Sequence, residues 1–220
     1  MTVTLVHRTD GAEALTAYMA RVSNPKNQNN LETAPQLLRY LIEHQHWSPF
    51  EMCSMCVNIE TERDIAAQLI RHRSFSFQEF STRYARTSIA ETPALRRQDT
   101  ANRQNSIDDF LPEEVSVMDS LTGRVISDAY GAYYELLERG VAKECARRVL
   151  PLCTPTTLYM HGTLRSWIHY IHIRTGVETQ KEHRDIAVKC KEIFCHCFPV
   201  IGEVAFTEPF AETLINHTTT

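Results

Sequence analysis

The sequence predicts an α+β fold, with one helix-rich domain and a small, mostly antiparallel sheet. The chain has 220 residues, and its hydrophobic content of 43% and charged content of 23% are ordinary for a globular domain. Strand-like segments with alternating apolar residues precede longer segments in which apolar residues recur at helical spacing. No internal repeat or low-complexity tract interrupts the pattern. We therefore predict that residues 1–220 form a single domain.

The amino-terminal part of the chain contains two predicted strands and two predicted helices. Residues 2–7 alternate weakly between polar and apolar types, which is typical of a short strand. Apolar residues at helical spacing predict one helix over residues 12–22 and a second that ends near His44. Pro49 prevents the second helix from continuing, because proline lacks the required N–H group. Residues 50–60 alternate again and predict a half-buried strand.

The next segment is predicted to be a helix followed by irregular chain. Residues 61–64 are a plausible helix start, and apolar residues continue at helical spacing to Ile70. The chain then enters a predicted turn or loop. Residues 85–112 are polar and carry few large apolar groups, so we predict an extended loop or lid there.

Four helices and one strand are predicted in the rest of the chain. The first helix is long, and Gly140 suits its carboxy-terminal cap. Its predicted buried stripe comprises Val115, Met118, Leu121, Val125, Ala129, Ala132, Tyr133 and Leu136. The elements that follow are a helix over residues 142–150, a strand over residues 156–161, and helices over residues 163–174 and 181–198.

Charge and cysteine content restrict the class of protein. The net charge of −4 argues against a general nucleic-acid-binding protein, whose surface is normally basic. No signal peptide is apparent at the amino terminus, and no apolar run approaches the roughly 20 residues that span a bilayer. Seven cysteines without a secretory signal indicate free thiols in a reducing compartment. We therefore expect a cytoplasmic protein.

Common phosphate and metal motifs are absent from the sequence. The seven glycines form neither a dinucleotide-binding fingerprint nor a P-loop, so arginines and loop amides would have to hold any nucleotide. Cys53 and Cys56 have the spacing of a metal-binding pair. On a strand, however, residues three apart point to opposite faces, so we interpret them as buried thiols and predict no metal site.

A cluster of basic residues follows the third predicted helix. Arg71, His72 and Arg73 are separated by seven residues from Ser81, Thr82 and Arg83. Arginines repel one another, and a fold gathers them where an anion or an electron-rich ring lies between them. The guanidinium group also pairs with phosphate through two parallel hydrogen bonds. The stretch therefore predicts a phosphorylated ligand.

The same stretch resembles the signature of the flavin-dependent thymidylate synthases, and further segments match that family in the same order. These segments are residues 20–24 (Ala-Arg-Val-Ser-Asn), residues 46–51 (His-Trp-Ser-Pro-Phe-Glu), Gln68, residues 147–151 (Arg-Arg-Val-Leu-Pro), Arg165, Arg174 and residues 180–182 (Gln-Lys-Glu). The resemblance covers roughly residues 12–200 and is strongest to the branch found in algal viruses.

The resemblance implies an activity, cofactors and an assembly. The reaction is the reductive methylation of dUMP to dTMP, with 5,10-methylenetetrahydrofolate as carbon donor and NADPH-reduced FAD as hydride source. The resemblance also implies a homotetramer with each FAD near subunit interfaces. The implied partners are therefore dUMP, folate, NADPH and further copies of the chain, with no nucleic acid and no membrane.

The resemblance also assigns site residues. The implied dUMP site comprises Gln68, Arg71, Glu79, Phe80, Ser81, Thr82, Arg83, Arg147 and Arg174. The implied FAD site comprises Ser23, His46, Ser48, Glu51, Arg71, His72, Arg73, Gln78, Thr163, Arg165 and His169. Three of these residues are expected at the reacting centre. Arg174 would contact the pyrimidine carbonyls, Ser81 would bind or orient dUMP, and His46 would help to position folate beside the flavin.

Four positions depart from the family pattern on the flavin side. They are Met52, Thr163, His169 and Glu178. The departures concern individual FAD contacts, so Thr163 and His169 are FAD-site residues by position only.

Other interpretations of the same residues remain open at this point. The basic and aromatic residues between positions 71 and 84 are also compatible with a single-stranded nucleic-acid-binding module. Ten histidines raise the hypothesis of a metal-dependent phosphohydrolase, although no histidine pair has convincing helical spacing. Cys153 is the best cysteine candidate for a nucleophile, but a packed thiol is the favoured interpretation. No base and orienting group accompany Ser81, so it is not predicted to be a nucleophile.

Overall fold

The fold was analysed in a computed structural model that describes residues 1–207, apart from the side chain of Thr207. The strands are β1 (Thr2–Arg8), β2 (Ser54–Glu62), β3 (Ser76–Glu79), β4 (Arg97–Gln98), β5 (Ser106–Ile107) and β6 (Pro155–Thr163). The helices are α1 (Ala12–Ala20), α2 (Ala34–Glu43), α3 (Arg63–Leu69), α4 (Pro112–Glu138), α5 (Lys143–Ala146), α6 (Leu164–Arg174), α7 (Lys181–Cys197) and α8 (Pro199–Thr207). Short 3₁₀ turns cover Pro25–Asn27, Ser48–Glu51 and Arg147–Val149.

The main sheet has four strands in the order β1-β2-β6-β3, and every neighbouring pair is antiparallel. Strands β2 and β6 form its centre and pair along their whole length, from Ser54 opposite Thr163 to Glu62 opposite Pro155. Strand β3 is a short edge strand that pairs with residues 158–161 of β6. Strands β4 and β5 form a separate two-stranded hairpin. The predicted class, a helix-rich domain with a small antiparallel sheet, is confirmed.

The main core lies between the sheet and helices α1, α2, α6, α7 and α8. Met55 and Ile59 of β2 pack into it, and the fully buried Trp167 of α6 donates a hydrogen bond from Nε1 to the Met55 carbonyl at 2.9 Å. A second, smaller cluster lies under α4 and contains Tyr130, Tyr133 and Ala146. None of the helices within residues 1–207 is long and apolar enough to cross a membrane.

Most of the predicted elements are present with shifted ends. Strand β1, helices α1, α2, α3, α6 and α7, and strand β6 are confirmed to within a few residues. The predicted strand at residue 50 begins at Ser54 instead, because Ser48–Glu51 form a 3₁₀ turn. Gly140 does end α4: it has φ 81°, and the backbone N–H groups of Gly140 and Val141 bond to the carbonyls of Leu137 and Leu136.

Four features were wrong or missed. Residues 76–79 form β3 rather than a loop, and the predicted loop at 85–112 contains the β4–β5 hairpin. Helix α8 was not predicted. The stripe predicted for α4 is largely wrong: Leu121, Val125 and Ala132 are exposed, and Tyr133 is its one buried member. The helix reaches the second core only from Ile126 onward, through Ile126, Tyr130 and Tyr133.

Candidate active site

The loop after α3 brings His72 against the last turn of α6. Arg174 donates a hydrogen bond from Nε to His72 Nε2 at 2.9 Å, so Nε2 carries no proton. The His72 ring lies edge-on to Tyr170, with ring centroids 5.0 Å apart. Burial lowers the pKa of His72 to about 4, and the charges of Arg174, His169 and Arg71 act in the same direction. The histidine is therefore a neutral acceptor for Arg174 at neutral pH.

A second buried histidine lies beside the first. His183 of α7 is fully buried, and its ring centroid is 6.0 Å from that of His72. Burial lowers its pKa to about 4, and Arg174 and His72 contribute to the shift. Its Nδ1 lies 3.4 Å from Oε1 of Gln68, whereas its buried Nε2 has no hydrogen-bond partner among residues 1–207. Gln68 in turn donates from Nε2 to Oε1 of Gln180 at 2.7 Å.

A different group of predicted residues meets at the other end of β3. Arg147 lies on the 3₁₀ turn after α5, and its Nη1 is 3.5 Å from Oγ1 of the buried Thr82. The Arg83 backbone N–H donates to Ser81 Oγ at 3.3 Å. Glu79 accepts a hydrogen bond from Thr156 at 3.0 Å. Hydroxyls, amides and guanidinium groups therefore converge here, which is the donor set that an anion requires.

The side chain of Arg83 is held only loosely. It forms an ion pair with Glu144 at 3.4 Å, and both side chains are more than half exposed. Exposed pairs of this kind contribute little to stability, roughly 0–1 kcal/mol. The guanidinium group of Arg83 can therefore exchange Glu144 for a ligand at small cost.

The two groups are separated by the length of β3. His72 precedes this strand and Ser81 follows it, and four residues at about 3.3 Å each span roughly 13 Å. The pairing confirms the direction: Ser76 lies opposite His161 near the end of β6, whereas Phe80 bonds to Thr157 near its start. One copy of the chain therefore presents its two predicted halves of the dUMP site at different places.

Several predicted FAD residues line one groove beside α6. Its volume is about 660 Å³, and its lining combines Glu51, Arg165 and His169 with apolar groups from Trp47, Ile168 and Ile173. Arg165 Nη1 is 2.5 Å from a Glu51 carboxylate oxygen, in a pair that is exposed by about half. Ser166 at the groove donates from its hydroxyl to the Ser74 carbonyl at 3.2 Å, which ties α6 to the loop between α3 and β3.

The sharp turn before His46 also borders this groove. Gln45, one of the lining residues, has a left-handed φ of 57°, and the N–H groups of Gln45 and His46 bond to the carbonyls of Ile42 and Leu41. This is the same capping pattern as at Gly140, formed here by a residue with a side chain. His46 is exposed, and its ring centroid is 5.9 Å from that of Tyr40.

The remaining predicted residues have varied positions. Thr163 caps α6, because its Oγ1 accepts the Ser166 N–H, so its hydroxyl already has a structural partner. Ser23 lines a different groove, between α1 and α2, and is not brought to the groove that contains Arg165. Arg71, Arg73, Ser48, Gln78 and Phe80 are exposed, as are the two departures from the family pattern at Met52 and Glu178.

The structure disfavours a nucleophilic role for Cys153. Burial raises the pKa of its thiol, and the negative charges of Glu62 and Asp64 act in the same direction. A nucleophilic cysteine requires the opposite environment, one that stabilises the thiolate. Cys53 is likewise a packing residue: it accepts a hydrogen bond from Thr16 and donates one to the Ala12 carbonyl.

Comparison with known proteins identifies the family. The family model described as "Thymidylate synthase complementing protein" matches residues 4–200. A probable flavin-dependent thymidylate synthase of Paramecium bursaria Chlorella virus 1 is 50% identical over 206 residues, which cover 92% of this chain and 94% of the relative. The chain belongs to the flavin-dependent thymidylate synthase family. A second member, from Synechocystis, is 49% identical over 190 residues, covering 86% of this chain and 87% of the relative.

A solved structure supports the family assignment. The UMP/dUMP methylase PolB from Streptomyces cacaoi, bound with 5-Br dUMP, superposes with a TM-score of 0.82 and 29% identity. The match covers 92% of this chain and 93% of that one. The predicted membership of the family is confirmed. The predicted resemblance of the chain to an algal-virus protein is confirmed as well.

The rival interpretations gain no support. Phe75 is 8% exposed and packs edge-on against Trp167, and Phe77 is only partly exposed, so these two rings are unavailable for stacking on bases. Phe80 and Tyr84 are the exposed rings of this stretch. Within residues 1–207, no group of three or more histidine, cysteine, aspartate or glutamate side chains is arranged to hold a metal ion.

His183 was not among the predicted site residues, and no role was predicted for Gln180. A signal for His183 was available, because it continues the buried stripe of α7 three residues before Ile186. A histidine on such a stripe is a buried polar group, and buried polar groups need partners. The contact with Gln68 joins residues 115 positions apart, which no local pattern reports.

Proposed function

We propose that this protein methylates dUMP at carbon 5 of its uracil ring to form dTMP. FAD would be the bound redox cofactor, NADPH the reductant and 5,10-methylenetetrahydrofolate the one-carbon donor. The observation that carries the proposal is the pair of groups at the two ends of β3. One end offers hydroxyl, amide and guanidinium donors around Ser81 and Arg147, and the other offers Arg174 beside neutral His72.

The residues at each end suit a different part of a nucleotide. Ser81, Thr82, Arg83 and Arg147 would hold the phosphate, which accepts hydrogen bonds and carries negative charge. Arg174 would donate to a pyrimidine carbonyl and stabilise the negative charge that develops on the ring when carbon 5 is activated. Arg174 uses Nε for its hydrogen bond to His72, and the geometry of that bond restrains the plane of the guanidinium group.

The groove beside α6 fits a flavin. Planar cofactors bind in clefts with apolar walls and a few placed polar groups, and this groove pairs Trp47, Ile168 and Ile173 with Arg165 and His169. Arg165 would pair with an anionic part of FAD by exchanging its half-exposed partner Glu51. FAD, when bound, supplies the reducing equivalents, and the protein residues bind, orient and shield the reactants.

We further propose that the active form is a homotetramer. The phosphate-binding group and the Arg174 group lie at opposite ends of β3 in one copy, and we expect a second copy to complete each dUMP site. The same arrangement would place each FAD near a subunit interface. Symmetric assembly of identical chains is the usual way to build such shared sites.

The experiment that tests the function is the assay of purified, FAD-loaded protein. We expect flavin absorbance that NADPH bleaches when dUMP is present, and formation of dTMP when 5,10-methylenetetrahydrofolate is added. UMP should be assayed in parallel, because the structural relative PolB is described as a UMP/dUMP methylase. A colourless protein that added FAD does not reconstitute would contradict the proposal.

Arg174→Ala tests the assigned uracil contact. We expect kcat/KM for dUMP to fall on the order of 100-fold, the usual loss when a preorganised charged donor is removed. The melting temperature should fall only modestly, because Arg174 is half-buried and the variant loses its hydrogen bond to His72. Arg139→Ala is the matched control, since Arg139 is an exposed arginine that pairs with Glu135 on the outside of α4. Full activity in Arg174→Ala would show that the assignment is wrong.

A further inference from the structure

A sheltered ion pair joins the 85–112 segment to α7. Arg96 and Glu182 meet through two contacts, Nη1 to Oε1 at 2.6 Å and Nη2 to Oε2 at 2.9 Å. Their side chains are only 11% and 17% exposed, the lowest values among the ion pairs within residues 1–207. Arg96 also donates from Nε to the Ser106 hydroxyl at 2.8 Å, which holds it against the β4–β5 hairpin.

The ion pair keeps Glu182 ionised. Burial alone would raise the pKa of its carboxyl group, but the hydrogen bonds from Arg96, the Glu182 backbone and Gln180 lower the pKa below its ordinary value. An ionised carboxylate is an acceptor only. Any side chain that bonds to it must therefore present a donor.

This requirement sets the direction of the next hydrogen bonds. Gln180 donates from Nε2 to Oε2 of Glu182 at 3.0 Å, so its carbonyl oxygen is left to face Gln68. Gln68 must then donate its amide N–H to that oxygen, at 2.7 Å, and turn its own carbonyl toward His183 Nδ1 at 3.4 Å. His183 consequently carries its proton on Nδ1, and its buried Nε2, which has no hydrogen-bond partner in the described part of the chain, is unprotonated. One carboxylate thus orients two amide groups and selects one histidine tautomer.

Gln68 is the member of this series that belongs to the proposed dUMP site. A glutamine amide can rotate by half a turn and exchange its donor and acceptor, and only its hydrogen-bond partners decide between the two orientations. We infer that the Arg96–Glu182 ion pair acts through Gln180 to fix the amide orientation of Gln68, and so couples the 85–112 segment to dUMP binding. Arg96, Glu182 and Gln180 are then positioning residues for a substrate contact. The inference rests on the proposed function, because it assumes that Gln68 contacts dUMP.

The decisive variant is Gln180→Met. It removes both side-chain hydrogen bonds of Gln180 at an exposed position and leaves the Arg96–Glu182 pair intact. We expect the dissociation constant for dUMP, measured by calorimetry on FAD-loaded protein, to rise roughly three- to tenfold, as for the loss of one net hydrogen bond. FAD affinity and the melting temperature should stay at the wild-type values.

Arg96→Met and a double variant supply the readout that a merely structural role would not change. Arg96→Met should also weaken dUMP binding. The double variant Arg96→Met/Gln180→Met should bind dUMP no more weakly than the single variant that binds it more weakly. Either change alone already interrupts the series of hydrogen bonds from Arg96 to Gln68. Arg97→Met is the matched control: Arg97 is on the same hairpin but pairs with Asp109 and Glu114, so dUMP binding should be unchanged.

The outcomes separate this inference from the proposed function. Wild-type protein that binds no dUMP overturns both. Wild-type binding that Gln180→Met leaves unchanged overturns the positioning role alone, and so do effects of Arg96→Met and Gln180→Met that multiply in the double variant. If Arg96→Met does not fold, because Glu182 is left buried without its partner, Gln180→Met alone decides.

Discussion

At the scale of single residues, His183 is the least expected group at the site. It is fully buried between α7 and the end of α3, and its pKa of about 4 means that it is neutral in the folded protein at pH 7. In the unfolded chain a histidine has a pKa of about 6.5. Between these two values the unfolded chain binds more protons than the folded protein does. The contribution to stability is therefore fully present above about pH 6.5 and is lost as the pH falls toward 4.

We predict that His183→Gln makes the stability of the free protein less dependent on pH. The wild-type free energy of unfolding, measured in urea, should decrease from pH 7 to pH 5, and His183 contributes at most about 2 kcal/mol to that decrease. The variant should lose less stability over the same interval. His196→Gln, an exposed histidine of the same helix, is the control and should follow the wild type. Identical slopes for wild type and His183→Gln would contradict the predicted protonation state.

At the scale of elements, β3 decides how the site is laid out. The predicted phosphate-binding group begins just after its last residue, Glu79, and its first residue, Ser76, comes shortly after the basic loop at His72. Phe75 anchors this junction. It packs against Trp167, with ring centroids 4.8 Å apart, and lies directly over Gly162 of β6. A Cβ atom at Gly162 would come within 2.5 Å of the Phe75 ring.

We predict that Gly162→Ala destabilises the protein by about 1–3 kcal/mol, the usual cost of overpacking a core. The Phe75 ring would have to move away from Trp167, so flavin binding should also weaken because Ser74 and His72 lie on the same loop. Gly131→Ala is the matched control. An added Cβ there meets nothing within 4 Å in α4, and alanine should stabilise the helix by roughly 0.5–1 kcal/mol. Urea unfolding measures both effects, and a neutral Gly162→Ala would show that the junction is not tightly packed.

Periodicity predicted the elements whose own sequence carries a clear apolar stripe. It failed where contacts between distant segments determine the secondary structure or the burial of a face. Helices α6 and α7 have clear apolar stripes, and their bounds were predicted to within a few residues. Strand β3 has only four residues, and it is a strand because β6, about 80 residues away, supplies its partners. Leu121 and Val125 match a helical stripe as well as Tyr133 does, yet only Tyr133 faces a core. Spacing reports that apolar residues share a face, but not what covers that face.

At the scale of the whole molecule, the sequence match predicts which residues belong to the site but not how the fold groups them. Matching segments in order gave Arg174, Gln68, Ser81 and Arg147 as one predicted dUMP site. The structure instead places the first two at one end of β3 and the last two at the other. A sequence match compares residue types position by position. It contains no information on whether two residues meet within one copy of the chain or between two copies.

Mixing of inactive variants tests whether each site is shared between copies. Arg147→Ala lacks a proposed phosphate contact and Arg174→Ala lacks the proposed uracil contact, so each should be nearly inactive alone. If each dUMP site takes its two ends from different copies, mixed assemblies contain some sites that combine an intact Arg147 with an intact Arg174. Random mixing in equal amounts should then restore about a quarter of wild-type activity after co-refolding. Co-refolding of Arg174→Ala with Gln68→Ala is the control, because both residues lie at the same end of β3 and come from the same copy. A copy with an intact Arg174 then lacks Gln68, and a copy with an intact Gln68 lacks Arg174, so no mixed site is complete. No recovery in the first mixture, with assembly confirmed by its mass in solution, would place both ends of the site in a single copy.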